Sequence, residues 1–121
     1  MKTILIIEDN EDIRENMAEI VLLSGFAVFT AENGKEGIIL ATNNHPDIIL
    51  CDVFMPQVSG YDVLKELKNN PATSLIPFIY VTAGGEKSEV KLAMDLGAVG
   101  FIRKPFEGQE LLNEIKKYLP K

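Results

Sequence analysis

The chain has 121 residues, 46% of them apolar and 25% charged, with a formal net charge of −6. These proportions suit one globular core; the negative balance argues against a nucleic-acid surface built from this chain alone, and apolar runs of strand length such as Ile4–Ile7 exclude a membrane span. Cys51 is the single cysteine, so no internal disulfide can form; it is expected as a small buried core residue, and the cytoplasm is the simplest compartment.

The opening Met1-Lys-Thr-Ile-Leu-Ile-Ile-Glu-Asp9 carries carboxylates directly after a short apolar run. It predicts a first strand rather than a signal peptide. From Glu11 to Ser24, Ile13, Met17, Ile20 and Val21 recur at helical spacing, and Gly25 stops the helix. Phe26 to Ala31 is a second strand. Asn33 can cap the next helix, with Glu36 in capping-box position. Asp47 to Cys51 is a third strand, buried on both faces.

Ser59 caps a helix running to about Asn69, and Pro71 and Pro77 bracket a polar loop. Phe78 to Val81 is the fourth strand. A helix follows from about Glu86 to Leu96 and ends at Gly97. Val99 to Ile102 is the fifth strand. The last helix, about Glu107 to Leu119, places Leu111, Leu112, Ile115 and Leu119 on one face. Short apolar strands each followed by a helix imply an α/β fold, a parallel sheet with helices on both faces, over residues 1–121.

Polar residues fall at the strand ends. Glu8 and Asp9 end the first strand, Asp52 the third and Thr82 the fourth, and Lys104 follows the fifth. In an open parallel sheet the carboxyl ends of the strands share one edge, where ligands bind. Two carboxylates about 4 Å apart repel by roughly 4 kcal/mol at an effective dielectric of about 20, so three need protonation or a cation. Oxygen-only ligands favour a hard ion such as Mg²⁺ over zinc. Taken singly, Glu8 and Asp9 could instead be helix N-terminal acids, Thr82 a strand residue and Lys104 a surface lysine. Asp52 as a nucleophile, with Lys104 and Thr82 as donors, makes a chemical set able to hold an aspartyl phosphate.

The Glu8-Asp9 pair, the run Asp52-Val-Phe-Met-Pro-Gln-Val-Ser-Gly60, the Val81-Thr82-Ala83 step and the Lys104-Pro105-Phe106 step resemble the receiver domains of two-component response regulators. The resemblance covers essentially the whole chain. It implies a doubly wound, flavodoxin-like (βα)5 fold with five parallel strands in the order 2-1-3-4-5, and a cis Lys104-Pro105 bond. It implies Asp52 as phosphoacceptor, with a metal held by Asp9, Asp52, the backbone carbonyl of Phe54 and, through water, Glu8. The metal would be Mg²⁺, with Mn²⁺ as an alternative. Thr82 would be the switch hydroxyl, Lys104 the phosphate-pairing lysine and Phe101 the switch aromatic, although Phe101 can equally be plain core.

The partners implied are a histidine kinase or phosphotransfer protein, and a downstream protein reached through the face made by helix four, strand five and helix five. The implied chain is a signalling phosphoacceptor rather than an enzyme, without direct nucleic-acid or membrane binding, and a monomer or a phosphorylation-dependent dimer. A stand-alone receiver is the expectation, the N-terminal piece of a longer regulator the alternative.

Phe54 and Gly84 offer no polar side chain near the acceptor, so unassisted, slow self-dephosphorylation is expected. The charged run Glu86 to Lys91 is expected as a solvated helix face. Two rival functions are a cofactor binder on the same fold and a degenerate receiver that no longer takes phosphate. The first conflicts with acids after strand one and with a Gly84-Gly85-Glu86-Lys87-Ser88 stretch that lacks the Gly-Lys-Ser adjacency of a phosphate loop. The second would have lost an acid or the lysine.

Overall fold

A computed structural model describes residues 1–84 and 86–120. Gly85, part of the stretch with a superficial likeness to a phosphate loop, lies outside them. Among the described residues, five strands alternate with five helices: β1 (Thr3–Ile7), α1 (Glu11–Leu23), β2 (Ala27–Ala31), α2 (Gly34–Asn44), β3 (Ile48–Cys51), α3 (Gly60–Lys68), β4 (Phe78–Thr82), α4 (Lys87–Asp95), β5 (Gly100–Arg103) and α5 (Gly108–Tyr118). Every pairing is parallel and the order is β2-β1-β3-β4-β5, as the resemblance implied. None of these helices is long and apolar enough to cross a membrane.

Alternation along the strands splits the core in two. Ile4 and Ile6 of β1 turn toward Met17 and Val21 of α1 and Leu111 and Ile115 of α5. Leu5 and Ile7 turn the other way, toward Ala41 of α2 and Val63, Leu64 and Leu67 of α3. All four residues of β3 are fully buried, which explains a run with no polar alternation. Cys51 is one of them, a core thiol whose burial pushes its pKa well up.

Several element edges differ from the sequence reading by one residue. β2 begins at Ala27 because the Phe26 N–H closes the end of α1 on the Val21 carbonyl, 3.4 Å away. β3 begins at Ile48, and the Asp47 carboxylate accepts the Thr3 N–H at 2.8 Å. β4 runs on to Thr82, and β5 covers Gly100–Arg103 rather than 99–102, with Thr82 opposite Arg103. Asn33 does cap α2, accepting the Glu36 N–H at 2.8 Å. The reciprocal capping box belongs instead to α3, between Ser59 and Asp62. On α5, Leu112 and Leu119 are only partly buried beside the fully buried Leu111 and Ile115.

Gly60 makes a close approach that bears on the carboxyl edge of the sheet. It opens α3 directly beneath the end of β3; its N–H donates to the Val53 carbonyl at 2.7 Å and its carbonyl accepts the Tyr80 hydroxyl at 3.0 Å. A Cβ there would overlap the Asp52 carbonyl oxygen and come within 2.8 Å of the Val53 Cα, both backbone atoms that cannot swing aside. Gly60→Ala is therefore expected to cost about 1–3 kcal/mol by overpacking. Gly108→Ala, whose new Cβ meets only ordinary contacts at 3.5 Å, is the control and should be near neutral. Urea melts of the two variants decide it, and equal midpoints would show that the Gly60 backbone can relax.

Candidate functional site

The strand ladders continue one residue past their ends, and this fixes the polar residues in place. The Glu8 N–H donates to the Ala31 carbonyl at 3.0 Å, the Asp52 N–H to the Ile7 carbonyl at 3.0 Å, and the Lys104 N–H to the Thr82 carbonyl at 2.8 Å. Glu8 thus follows β1, Asp52 follows β3 and Lys104 follows β5, all at the carboxyl edge. The Lys104-Pro105 bond is cis.

Residues far apart in sequence meet here. Carboxylate oxygens of Glu8, Asp9 and Asp52 lie within 4.8 Å of one another. Lys104 reaches in from the other side, with its Nζ 2.5 Å from Glu8 and 3.5 Å from Asp52. Glu8 and Asp52 are 1% and 7% exposed, whereas Asp9 faces water. Three acids against one lysine in a half-dry crevice leave an excess of negative charge.

Burial, with the neighbouring charges second, governs how readily these acids hold their protons. Burial pushes the Glu8 carboxyl up from 4.5 to about 7; the Lys104 hydrogen bond opposes the shift and the Asp52 charge adds to it. Burial also raises Asp52, against the pull of Lys104 and with a further push from Asp9. The Phe54 N–H donates to the Asp52 carboxylate and lowers it somewhat. The donor set is all carboxylate oxygen, and the single His, His45, caps the far end of α2. Such a set fits a hard divalent cation, which would relieve the repulsion that burial sharpens.

Thr82 is fully buried, and its Oγ1 accepts the Gly84 N–H at a long 3.3 Å. Phe101 is half-buried, edge-on to the Tyr80 ring at 6.5 Å. Tyr80 in turn touches Tyr61 at 5.5 Å and Phe78 at 5.0 Å, so Phe101 ends a line of packed aromatics. The Phe54 ring is 56% exposed.

Two contributors are invisible to sequence reasoning. Arg14 donates to the Glu8 carbonyl at 2.9 Å and the Asp9 carbonyl at 3.5 Å, holding the turn that presents both acids. A cation on the first turns of the helix after an acidic pair is its only signal. Glu89 folds back from α4 so that its carboxylate fills the space where a Cβ on Gly84 would stand, with the Phe54 ring beside it. Gly84 thus does not leave that side bare; its missing side chain admits this acid. Nothing local in the sequence announces such a contact.

Residues 4–116 match the family described as the response regulator receiver domain. The chain is 38% identical over 119 residues to the response regulator SaeR of Staphylococcus aureus, covering 98% of this chain and 51% of that protein. It is 35% identical over 116 residues to the probable transcriptional regulator ycf29 of Pyropia yezoensis, covering 96% of this chain and 52% of that protein. The chain therefore spans about half the length of the curated relatives it matches. Among solved structures it resembles the chemotaxis protein CheY4 of Vibrio cholerae, with a TM-score of 0.95, 26% identity and coverage of 98% and 99% of the two chains. A putative response regulator from Chloroflexus aurantiacus gives a TM-score of 0.93 at 32% identity, covering 99% and 98%.

Burying Glu8 beside other acids has a measurable consequence for stability. A carboxyl raised from 4.5 to about 7 binds its proton more tightly in the folded state. Its contribution is complete below about pH 4.5 and is lost as pH rises through 7. In metal-free buffer, Glu8→Gln should match the parent near pH 4.5 and exceed its stability by about 1–3 kcal/mol above pH 7.5. Denaturant melts across that range check it; an advantage independent of pH, or a loss at high pH, would contradict the assignment.

Proposed function

The chain belongs to the response regulator receiver family, and on that premise we propose that residues 1–121 act as a phosphoacceptor receiver domain with Asp52 as the acceptor. The observation that carries the proposal is the convergence of Glu8, Asp9, Asp52 and Lys104 at one crevice. The donor is a phosphohistidine on a histidine kinase or phosphotransfer protein. An Asp52 carboxylate oxygen forms the new bond to phosphorus as the donor's P–N bond breaks, and the electron pair leaves with the imidazole. An apolar cleft of about 380 Å³ lined by Ile13, Lys104, Pro105 and Phe106 among others offers the donor a seat on the side of the crevice from which Lys104 reaches in.

Mg²⁺, or Mn²⁺ in its place, would be held by Asp9, Asp52, the Phe54 carbonyl and, through water, Glu8. When bound it supplies charge neutralisation for the carboxylate and the incoming phosphoryl oxygens. Lys104 pairs with the phosphoryl group. Its ammonium already serves Glu8 at 2.5 Å, so transferring it to the phosphoryl group gains less than a new bond would. Thr82 has less to give up, because its hydroxyl accepts only the long bond from Gly84. A hydrogen bond to a charged group contributes about 1.5–3 kcal/mol, and inverting a population from 1:99 to 99:1 takes about 5.5 kcal/mol. Thr82 and Lys104 together approach that figure, with Thr82 the larger share.

As Thr82 moves toward the phosphoryl group, the space it vacates admits Phe101. The outcome is read on the α4–β5–α5 face by a downstream protein. The protein works in the cytoplasm as a signalling phosphoacceptor, as a monomer or a dimer formed on phosphorylation.

Incubation with acetyl phosphate, with and without Mg²⁺, followed by intact mass, tests the central step. The expected result is one added phosphoryl group, only with Mg²⁺, and none in Asp52→Asn. An equal gain in Asp52→Asn would sink the assignment. The phosphorylated form should then decay slowly, since Phe54 and Gly84 carry no polar side chain and the Glu89 carboxylate beside them is an anion that the phosphoryl group repels. A lifetime of a few seconds, followed by mass after donor removal, would overturn that part of the reading.

A further inference from the structure

We propose that the partner surface along the open edge of β5 receives a basic segment of another protein, one carrying Lys or Arg around an apolar anchor. The inference rests on the receiver reading for the position of the face and goes beyond it in naming the chemistry of the occupant.

Among the described residues β5 is the last strand of the sheet and pairs with β4 alone. An edge strand leaves backbone donors and acceptors available to another chain. Two clefts flank this edge and share Arg103. One, of about 240 Å³, lies between β5 and α5 and is lined by Phe101, Glu110 and Glu114 among others. The other, of about 380 Å³, lies at the head of α4 and is lined by Gly84, Glu86 and Glu89 among others. Together they form a concave strip with four carboxylates and one guanidinium on its walls.

Among the described residues no lysine lines either cleft, Lys87 at the head of α4 included, and two of the neighbouring lysines are turned to other contacts. Lys91 pairs with Asp95 at 2.9 Å on α4, and Lys117 lies over the Tyr118 ring at 5.2 Å. Neither lines the clefts. The strip is thus strongly negative within a chain of net charge −6, and complementary charge selects and steers a cationic partner. Phe101 at its floor gives an apolar anchor a place to pack, and that ring stands at the end of the Tyr61–Tyr80 line of aromatics. A second copy of this chain is the poorer occupant, because it would bring one acidic wall against another.

The test uses the full chain and two short synthetic peptides, one with Lys and Arg around a central Leu and one with Glu in their place. Amide shifts and dissociation constants are measured at low and high salt. Two charge-matched variants are compared: Glu110→Gln/Glu114→Gln on α5 and Glu15→Gln/Glu19→Gln on α1. The expected result is binding of the basic peptide alone, weakened by salt, with shifts at 101–103 and along α5. The α5 variant should lose roughly three- to tenfold in affinity and the α1 variant should lose little.

Equal loss in both variants, shifts confined to the Glu8, Asp9 and Asp52 crevice, absence of binding, or a self-dimer formed through this face would each overturn the proposal. Phosphorylation of the α5 variant is measured alongside. If it proceeds while the parent chain fails to bind the basic peptide, the partner inference is wrong and the receiver reading stands.

Discussion

Three carboxylates held close together at the end of a dry sheet are an unfavourable arrangement, and much of the molecule is organised around keeping them there. Glu8 and Asp52 are fixed by backbone bonds that extend the strand ladders past β1 and β3. Lys104 arrives from β5 and offsets part of their charge. One lysine against three acids leaves a surplus, and burial turns that surplus into a carboxyl raised to about 7. A divalent cation would cancel that surplus, and an anion arriving afterwards would meet a cation and a lysine, which is why the proposed function places both there.

The parallel sheet supplies the rigidity that holds the acids in place. β3 is buried on both faces and carries Asp52 at its tip, so Asp52 stands on a strand fixed from both sides. α3 begins directly beneath it, with Gly60 pressed against the Asp52 carbonyl and tied to Tyr80. Tyr80 is also the neighbour of Phe101. The Asp52 carbonyl, the Gly60 backbone, Tyr80 and Phe101 thus form a short packed route from the end of β3 to the β5 edge. The Thr82 hydroxyl, at the end of β4, accepts one long bond from the Gly84 N–H.

The order of strands and helices is legible because strand and helix periodicities alternate cleanly along the chain. The acidic pair, Asp52, Thr82 and Lys104 are legible because each follows or ends an apolar run, and a parallel sheet gathers such ends. Boundaries slip by one residue where a loop borrows a backbone bond from the element before it, as Phe26 does from α1. Sequence spacing points to a capping box at Asn33 and Glu36, but Ser59 and Asp62 form it, since an Asn cap needs no reciprocal partner. Arg14 and Glu89 escape notice for a different reason. Their targets are a carbonyl pair and a vacant Cβ position, and neither leaves a pattern in sequence. The pairing of Lys104 with Glu8 is likewise hidden, because sequence gives the members of a charge cluster and not who stands nearest whom.

All of this depends on the crevice holding more negative charge than its lysine can balance. Side-chain carboxyl ¹³C shifts of Glu8, followed against pH with and without saturating Mg²⁺, measure that directly. The expected result is a metal-free midpoint near 7 rather than 4.5, moving down sharply when Mg²⁺ is present. A metal-free midpoint near 4.5 that Mg²⁺ leaves unmoved would contradict it.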